Sequence, residues 1–70
     1  MITQKDLRFG KNIKRIRKKN NLTQEQLAEK VKVTPKYIQY IEAAKRSPSL
    51  KSLYKIAKAL GVKVKDLMPF

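Results

Sequence analysis

The side chains that could do chemistry in this sequence are hydrogen-bond donors and cations, and the common catalytic groups are missing. The 70 residues include no Cys and no His, which excludes disulfides and thiolate metal sites and removes the commonest general base. The five acidic residues stand mostly where helices are expected to begin; they are Asp6, Glu25, Glu29, Glu42 and Asp66. We therefore expect a protein that is not an enzyme and that uses no cofactor and no metal.

The balance of charge is the strongest global feature of the chain. Lys and Arg together number 18 against 5 Asp and Glu, which gives a net charge of +13. A domain with this excess has the electrostatic character of nucleic-acid binding. Charge alone is also compatible with a surface that is merely well solvated, and with a basic helix that lies on a membrane.

The apolar residues favour a small core over a membrane. No apolar run approaches the roughly 20 residues that cross a bilayer, and the sequence has no Trp. The segment MITQKDLRF lacks the apolar stretch of a secretory signal. We expect a cytoplasmic protein without a membrane partner, folded as a single domain over residues 1–70.

Apolar periodicity predicts an all-α fold of five short helices without a strand pair. The first helix is predicted from about Thr3 or Asp6 to Lys19, with a capping box at its start, and Asn20-Asn21 would end it. Its core-facing residues repeat at helical spacing. They are Phe9, Ile13 and Ile16.

Two capping patterns predict the starts of the next two helices. Thr23 and Gln26 have the spacing of a capping box at the start of the second helix. Thr34 would cap the third helix, with Pro35 at its first position, where the missing N–H costs nothing. This third helix is predicted to run to about Ala44.

The last part of the chain predicts a fourth helix between Ser49 and Gly61 and a short fifth helix within residues 62–68. The apolar stripe of the fourth helix consists of Leu50, Leu53, Ile56, Ala57 and Leu60. Tyr54 could stack on a nucleic-acid base, but its neighbours Leu53 and Ile56 favour packing at the edge of the core.

The break between the second and third helices is unusually short. It consists of about three residues, Lys32 to Thr34, and so tight a turn forces the helices to cross steeply, as in the DNA-binding helix-turn-helix. A small residue is needed at the crossing, and Ala28 stands there. The unit is predicted over residues 24–43. Its flanking apolar residues are Leu27, Val31, Val33, Ile38 and Ile41.

The sequence from Phe9 to Met68 resembles the Cro/repressor family of helix-turn-helix proteins, also called the Xre family. The resemblance is carried, in this order and spacing, by Leu22-Thr23-Gln24, Leu27-Ala28, Tyr37-Ile38 with Ile41-Glu42, Pro48-Ser49-Leu50, and Ile56-Ala57 with Ala59-Leu60-Gly61-Val62. It implies a lambda-repressor-like fold and a transcriptional regulator that binds double-stranded DNA.

Two positions depart from the family pattern. Lys32 stands where the family usually has Gly in the turn, and left-handed geometry costs a non-Gly residue about 1 kcal/mol. Ala43-Ala44 replaces the usual Asn-Gly or Arg-Gly, and Ala44 enters the left-handed conformation less easily than Gly. We therefore expect the third helix to end differently or to run longer. No phosphate contact is expected from the side chain of Ala43, because Ala has no polar group there.

The resemblance makes the third helix the recognition helix, whose first turn enters the major groove. Its outward residues are the predicted base contacts: Pro35, Lys36, Tyr37, Gln39 and Tyr40. Lys36 can donate to guanine and Gln39 can pair with adenine. Alternatives stay open for four of them. Lys36 could contact phosphate only, Gln39 could be solvated, and Tyr40 could pack against the first helix. Whether Tyr37 contacts DNA is also open.

Contacts to the DNA backbone are predicted at both ends of the unit. Family members typically bond a phosphate from the position of Gln24, helped by the positive end of the helix. The predicted phosphate contacts are Gln24, Thr34, Lys45, Arg46 and Ser47.

The resemblance also implies a structural ion pair and a dimer interface. Arg17 and Glu42 are predicted to form an ion pair between the first and third helices, with solvation of both as the alternative. The apolar end of the chain predicts a twofold dimer interface, with a flap over the core as the alternative. Its residues are Val64, Leu67, Met68 and Phe70.

These observations predict a sequence-specific repressor that acts as a homodimer on an inverted-repeat operator. Two alternatives keep the same fold: a restriction-modification controller, and an antitoxin that binds a toxin protein. A third is a basic nucleic-acid-binding protein without sequence preference.

Overall fold

Five α-helices make up the regular structure of the computed structural model, which describes the backbone of residues 4–68 and the side chains of residues 7–68. They are α1 (Gln4–Lys19), α2 (Gln24–Val31), α3 (Pro35–Glu42), α4 (Leu50–Leu60) and α5 (Val64–Leu67). No strand occurs in residues 4–68. The predicted all-α class with five helices is confirmed. The predicted cap Thr3 lies outside the described residues.

Short-range hydrogen bonds begin the helices where the sequence predicts. At α2, the Gln26 N–H donates to Thr23 Oγ1 at 3.0 Å, and the Thr23 N–H donates to Gln26 Oε1 at 2.8 Å. The Ser52 N–H donates to Ser49 Oγ at 3.1 Å at the start of α4. Each such cap stabilises its helix by about 1 kcal/mol.

Four helices end with a residue at positive φ, and one of these residues is a glycine. The φ angles are 58° at Asn21, 64° at Lys32, 60° at Ala44 and 72° at Gly61. In each case two backbone N–H groups close the last turn by donating to carbonyls of the helix. The Lys32 turn is thus formed without the usual glycine.

The end of α3 corrects one expectation. The helix stops at Glu42 and does not run to Ala44. The Ala44 N–H donates to Ile41 O at 3.1 Å, and the Lys45 N–H donates to Tyr40 O at 2.8 Å. These bonds and the burial of the Ala44 methyl offset the roughly 1–2 kcal/mol cost of left-handed alanine.

The core is formed by aliphatic side chains from all five helices. Its members are Ile13, Ile16, Leu27, Ala28, Val31, Ile38, Ile41, Leu53, Ile56, Ala57, Leu60 and Leu67. Phe9, Leu22, Val33 and Val64 are among the half-buried residues packed against it.

Two predictions for α4 are wrong. Leu50 was expected in the buried stripe but is 66% exposed, and Tyr54 was expected at the edge of the core but is 59% exposed. Leu50 is the first residue of the helix and projects beyond the core. Tyr54 follows the buried Leu53, and one residue is about 100° around a helix, so its ring points to solvent.

The predicted dimer interface also needs correction at Leu67. This side chain is 0% exposed within its own chain, because α5 folds back against α1 and α4. Asn12 Nδ2 donates to Leu67 O at 3.3 Å and fixes this arrangement. Leu67 is therefore a core residue. Val64 and Met68 are half-buried, and Phe70 lies outside the described residues.

Candidate nucleic-acid interface

The position of α3 depends first on how closely α1 approaches it. Gly10 on α1 faces the end of α3, and a Cβ at this position would lie 2.6 Å from Glu42 O and 2.7 Å from Ile41 O. Both distances are shorter than real Cβ contacts. This role of Gly10 was not predicted from the sequence, where an isolated Gly inside a predicted helix is the available signal.

A buried ion pair then joins the same two helices. Arg17 Nε donates to Glu42 Oε2 at 2.6 Å and Arg17 Nη2 donates to Glu42 Oε1 at 3.0 Å, with side-chain exposures of 8% and 3%. Arg17 Nη1 also donates to Leu22 O at 2.7 Å. Two parallel bonds between a guanidinium and a carboxylate are strong and directional. The pair therefore fixes α1, α3 and the start of α2 together.

Gln24 is connected to this pair, which the sequence analysis did not predict. Its Nε2 donates to Glu42 Oε1 at 3.1 Å. Because an ionised carboxylate only accepts hydrogen bonds, Glu42 selects the orientation in which the amide nitrogen of Gln24 faces it. The second N–H of that nitrogen is left to donate elsewhere. The inner side of α3 thus also orients the side chain predicted to bind a phosphate.

The outward face of α3 presents polar side chains near its amino-terminal end. Pro35, Lys36 and Gln39 are exposed, and Tyr37 and Tyr40 are half-buried. The Lys36 Nζ lies 5.7 Å from the centroid of the Tyr40 ring. Lys36 and Gln39 are three residues apart and so lie on one face of the helix. Pro35, Lys36, Gln39 and Tyr40 thus lie on the outward side of α3, whereas the half-buried Tyr37 packs against the core.

The predicted phosphate contacts lie at the two borders of this surface. Thr34 Oγ1 accepts from the Tyr37 N–H at 3.2 Å, so its hydroxyl proton is left to donate. Lys45, Arg46 and Ser47 are exposed in the non-helical segment between α3 and α4. The arrangement offers an amide and a hydroxyl donor before α3, from Gln24 and Thr34, and the cations Lys45 and Arg46 after it. Donors at both borders suit the two sugar-phosphate backbones beside a groove.

Glu42, the acidic residue of α3, does not cancel the positive charge of this surface, because it is buried and paired with Arg17. Within the described part of the chain, no cluster of acidic side chains could hold a metal ion. None of the described helices has the length and apolar character needed to cross a membrane.

Fold and site together define a DNA-binding helix-turn-helix domain, and the comparisons agree. A family model described as Helix-turn-helix matches residues 13–67. The control protein C.BamHI of Bacillus amyloliquefaciens is 45% identical over 65 residues, which are 91% of this chain and 80% of that protein.

Two solved structures share the fold. The restriction-modification controller protein C.AhdI of Aeromonas hydrophila superposes with a TM-score of 0.86 at 29% identity, covering 89% of this chain and 94% of that one. The P22 c2 repressor protein, solved in complex with a synthetic operator, gives a TM-score of 0.83 at 28% identity, covering 87% and 92%.

The chain belongs to the helix-turn-helix family of the Xre type, whose members are DNA-binding transcriptional regulators. The predicted family and the lambda-repressor-like fold are confirmed. The individual DNA contacts and the dimer interface remain predictions.

Proposed function

We propose that this protein represses transcription by occupying an inverted-repeat operator as a homodimer. The observation that carries the proposal is the construction of α3. Its inner side is fixed by the core and by Glu42, while Lys36 and Gln39 are exposed near its groove-entering end. A rigid helix with exposed donors is what direct contact with base edges requires. Repression needs no further chemistry, since occupation of a promoter blocks its use.

The proposed contacts divide into two groups with different tasks. Lys36 and Gln39 contact base edges in the major groove, with Pro35 and Tyr40 lining the same surface. Gln24, Thr34, Lys45, Arg46 and Ser47 contact phosphates, which are the same at every sequence. The second group sets affinity and register, and the first group sets the choice of bases.

The exposed apolar surface of α4 supports a dimer. Leu50 and Tyr54 are four residues apart, so they share one face of the helix, and both are more than half exposed. We propose that a second copy of the chain covers these side chains, together with the half-buried Val64 and Met68. A twofold dimer places its two recognition helices about 34 Å apart, one turn of the duplex.

Selection of bound sites from a random duplex library tests the proposal. We expect enrichment of two inverted half-sites whose centres are about 10 base pairs apart. Sedimentation at rising protein concentration should show self-association that Leu50→Asp weakens while the helical signal is kept. Lys55→Gln, an exposed change on another side of α4, is the control because it lowers the net charge by the same one unit. A library that yields no preferred sequence would contradict sequence-specific binding, and a single unpaired half-site would contradict the dimer.

A restriction-modification controller is the second candidate. The similarity to C.BamHI, at 45% identity over 65 residues, favours it. Both candidates bind DNA through the same surface and differ in the genes they control. Mapping of the bound sites in the source genome separates them, because a controller would bind beside genes for a nuclease and a methyltransferase.

A further inference from the structure

A contact between Arg46 and Tyr37 is not accounted for by the proposed DNA contacts. The guanidinium carbon of Arg46 lies 5.3 Å from the centroid of the Tyr37 ring, within the roughly 6 Å over which an aromatic face attracts a cation. Arg46 follows the end of α3, whereas Tyr37 lies in its first turn. The contact therefore brings the connecting segment back along the helix.

The two partners are held to very different degrees. Tyr37 is half-buried against the core, and its N–H donates to the capping Thr34. Arg46 is exposed in a segment without regular helix. The single ion pair among the described side chains joins Arg17 and Glu42. The ring of Tyr37 is thus the contact that restrains the guanidinium of Arg46.

We propose that Tyr37 is a positioning residue for DNA binding, and that its ring holds the Arg46 guanidinium in place for a phosphate contact. This inference rests on the proposed function. A side chain that is already restrained loses less freedom on binding, so its contact contributes more to affinity. The planar guanidinium can lie against the ring and still donate from its edge to phosphate oxygens. Tyr37 then acts through Arg46 and not through a base.

A double-mutant cycle measured on matched specific and scrambled duplexes tests this assignment. Tyr37→Leu should weaken binding to both duplexes by about 2–5-fold, the range expected for an exposed cation–aromatic contact. Tyr37→Phe keeps the ring face and should bind as the wild type does. Arg46→Ala should weaken both duplexes and flatten the salt dependence by about one unit. In the Arg46→Ala background, Tyr37→Leu should have no further effect.

Tyr40→Leu is the matched control, because Tyr40 is the other tyrosine of α3 and contacts Lys36. Its effect on binding should be the same with and without Arg46. Ring-current shifts of the Arg46 methylene protons in the DNA-free protein give a second measurement. We expect these shifts in the wild type and in Tyr37→Phe. These shifts test the contact between Tyr37 and Arg46 even if the Tyr37→Leu variant does not fold.

Four results would overturn the inference. If Tyr37→Leu lowers DNA affinity by the same factor with and without Arg46, the role of Tyr37 is purely structural. A change of base preference would make Tyr37 a base contact, and a loss in Tyr37→Phe would assign the effect to its hydroxyl. Absence of ring-current shifts in the wild type would remove the contact itself. If the wild type selects no sequence at all, the proposed function fails, which is a separate result.

Discussion

The two faces of α3 are built from different kinds of contact. The inner face buries Ile38, Ile41 and Glu42, and the carboxylate of Glu42 accepts hydrogen bonds from both Arg17 and Gln24. The outer face leaves Lys36 and Gln39 exposed to water. Directional buried bonds fix where the helix lies, while solvated donors can exchange water for a base edge at small cost. Changes on the inner face should therefore lower stability, and changes on the outer face should alter base choice.

Glu42→Ala should have the largest effect on the inner face. It leaves the Arg17 guanidinium buried without its carboxylate, and breaking a buried pair costs about 3–5 kcal/mol. We expect the free energy of unfolding, measured by urea denaturation, to fall by this amount. Glu29→Ala, an exposed acid on α2, is the control and should change it by less than about 0.5 kcal/mol. A similar small change for both variants would show that the Arg17–Glu42 pair does not hold the helices.

Gly10→Ala tests the close approach of α1 to α3. The added methyl would meet two backbone carbonyls, which cannot move aside as a flexible side chain does. Overpacking costs about 1–3 kcal/mol, and alanine regains about 1 kcal/mol of helix propensity. The difference is a loss of about 0–2 kcal/mol in the free energy of unfolding, and because both contacts are with backbone we expect the upper half of this range. Lys11→Ala, at the neighbouring exposed position, should be neutral within about 0.5 kcal/mol. A Gly10→Ala variant as stable as the wild type would contradict this packing.

Lys36→Ala tests the outer face. Loss of a base contact should cost about 1–3 kcal/mol of binding free energy on the selected site and relax the choice at one or two base pairs. Binding to scrambled duplex and the melting temperature should change much less. Lys55→Ala, an exposed lysine on α4, is the control for the loss of one charge. An equal loss on specific and scrambled duplexes would make Lys36 a phosphate contact.

The smallest effect is expected at the two left-handed turns that border α3. Lys32→Gly should raise the free energy of unfolding by about 0.5–1 kcal/mol, because the strain at φ 64° is relieved and the side chain is exposed. Ala44→Gly relieves the same strain but removes a buried methyl, which contributes about 0.8 kcal/mol. We expect it to be nearly neutral. Thermal melts check the order. A larger gain in stability from Ala44→Gly than from Lys32→Gly would contradict this prediction.

Much of the framework could be predicted from sequence because it rests on short-range rules. The capping box of Thr23 and Gln26, the cap at Thr34 with Pro35, and the glycine stop at Gly61 are all formed as predicted. Each depends on residues within a few positions of one another. The same rules predict that Lys36 and Gln39 share one face.

The failures lie where distant parts of the chain decide the outcome. Apolar patterning placed Leu50 and Tyr54 with the core, but none of the described helices covers that part of α4. It placed Leu67 in a dimer interface, with a flap over the core as the alternative, and the return of α5 onto α1 buries this side chain in the core. Apolar periodicity predicts which residues share a face of a helix. It does not predict which other element packs against that face.

The sequence by itself determined the helices, their order and the tight turn between α2 and α3, since these follow from local hydrogen bonding and backbone preference. Tertiary structure alone decided that Gly10 leaves no room for a side chain, that Glu42 accepts a hydrogen bond from Gln24, and that the Arg46 guanidinium lies near the ring of Tyr37. The physical reason is distance along the chain. These contacts join groups that only packing brings together, and their geometry is set to fractions of an ångström by the approach of backbone and side chains from separate helices.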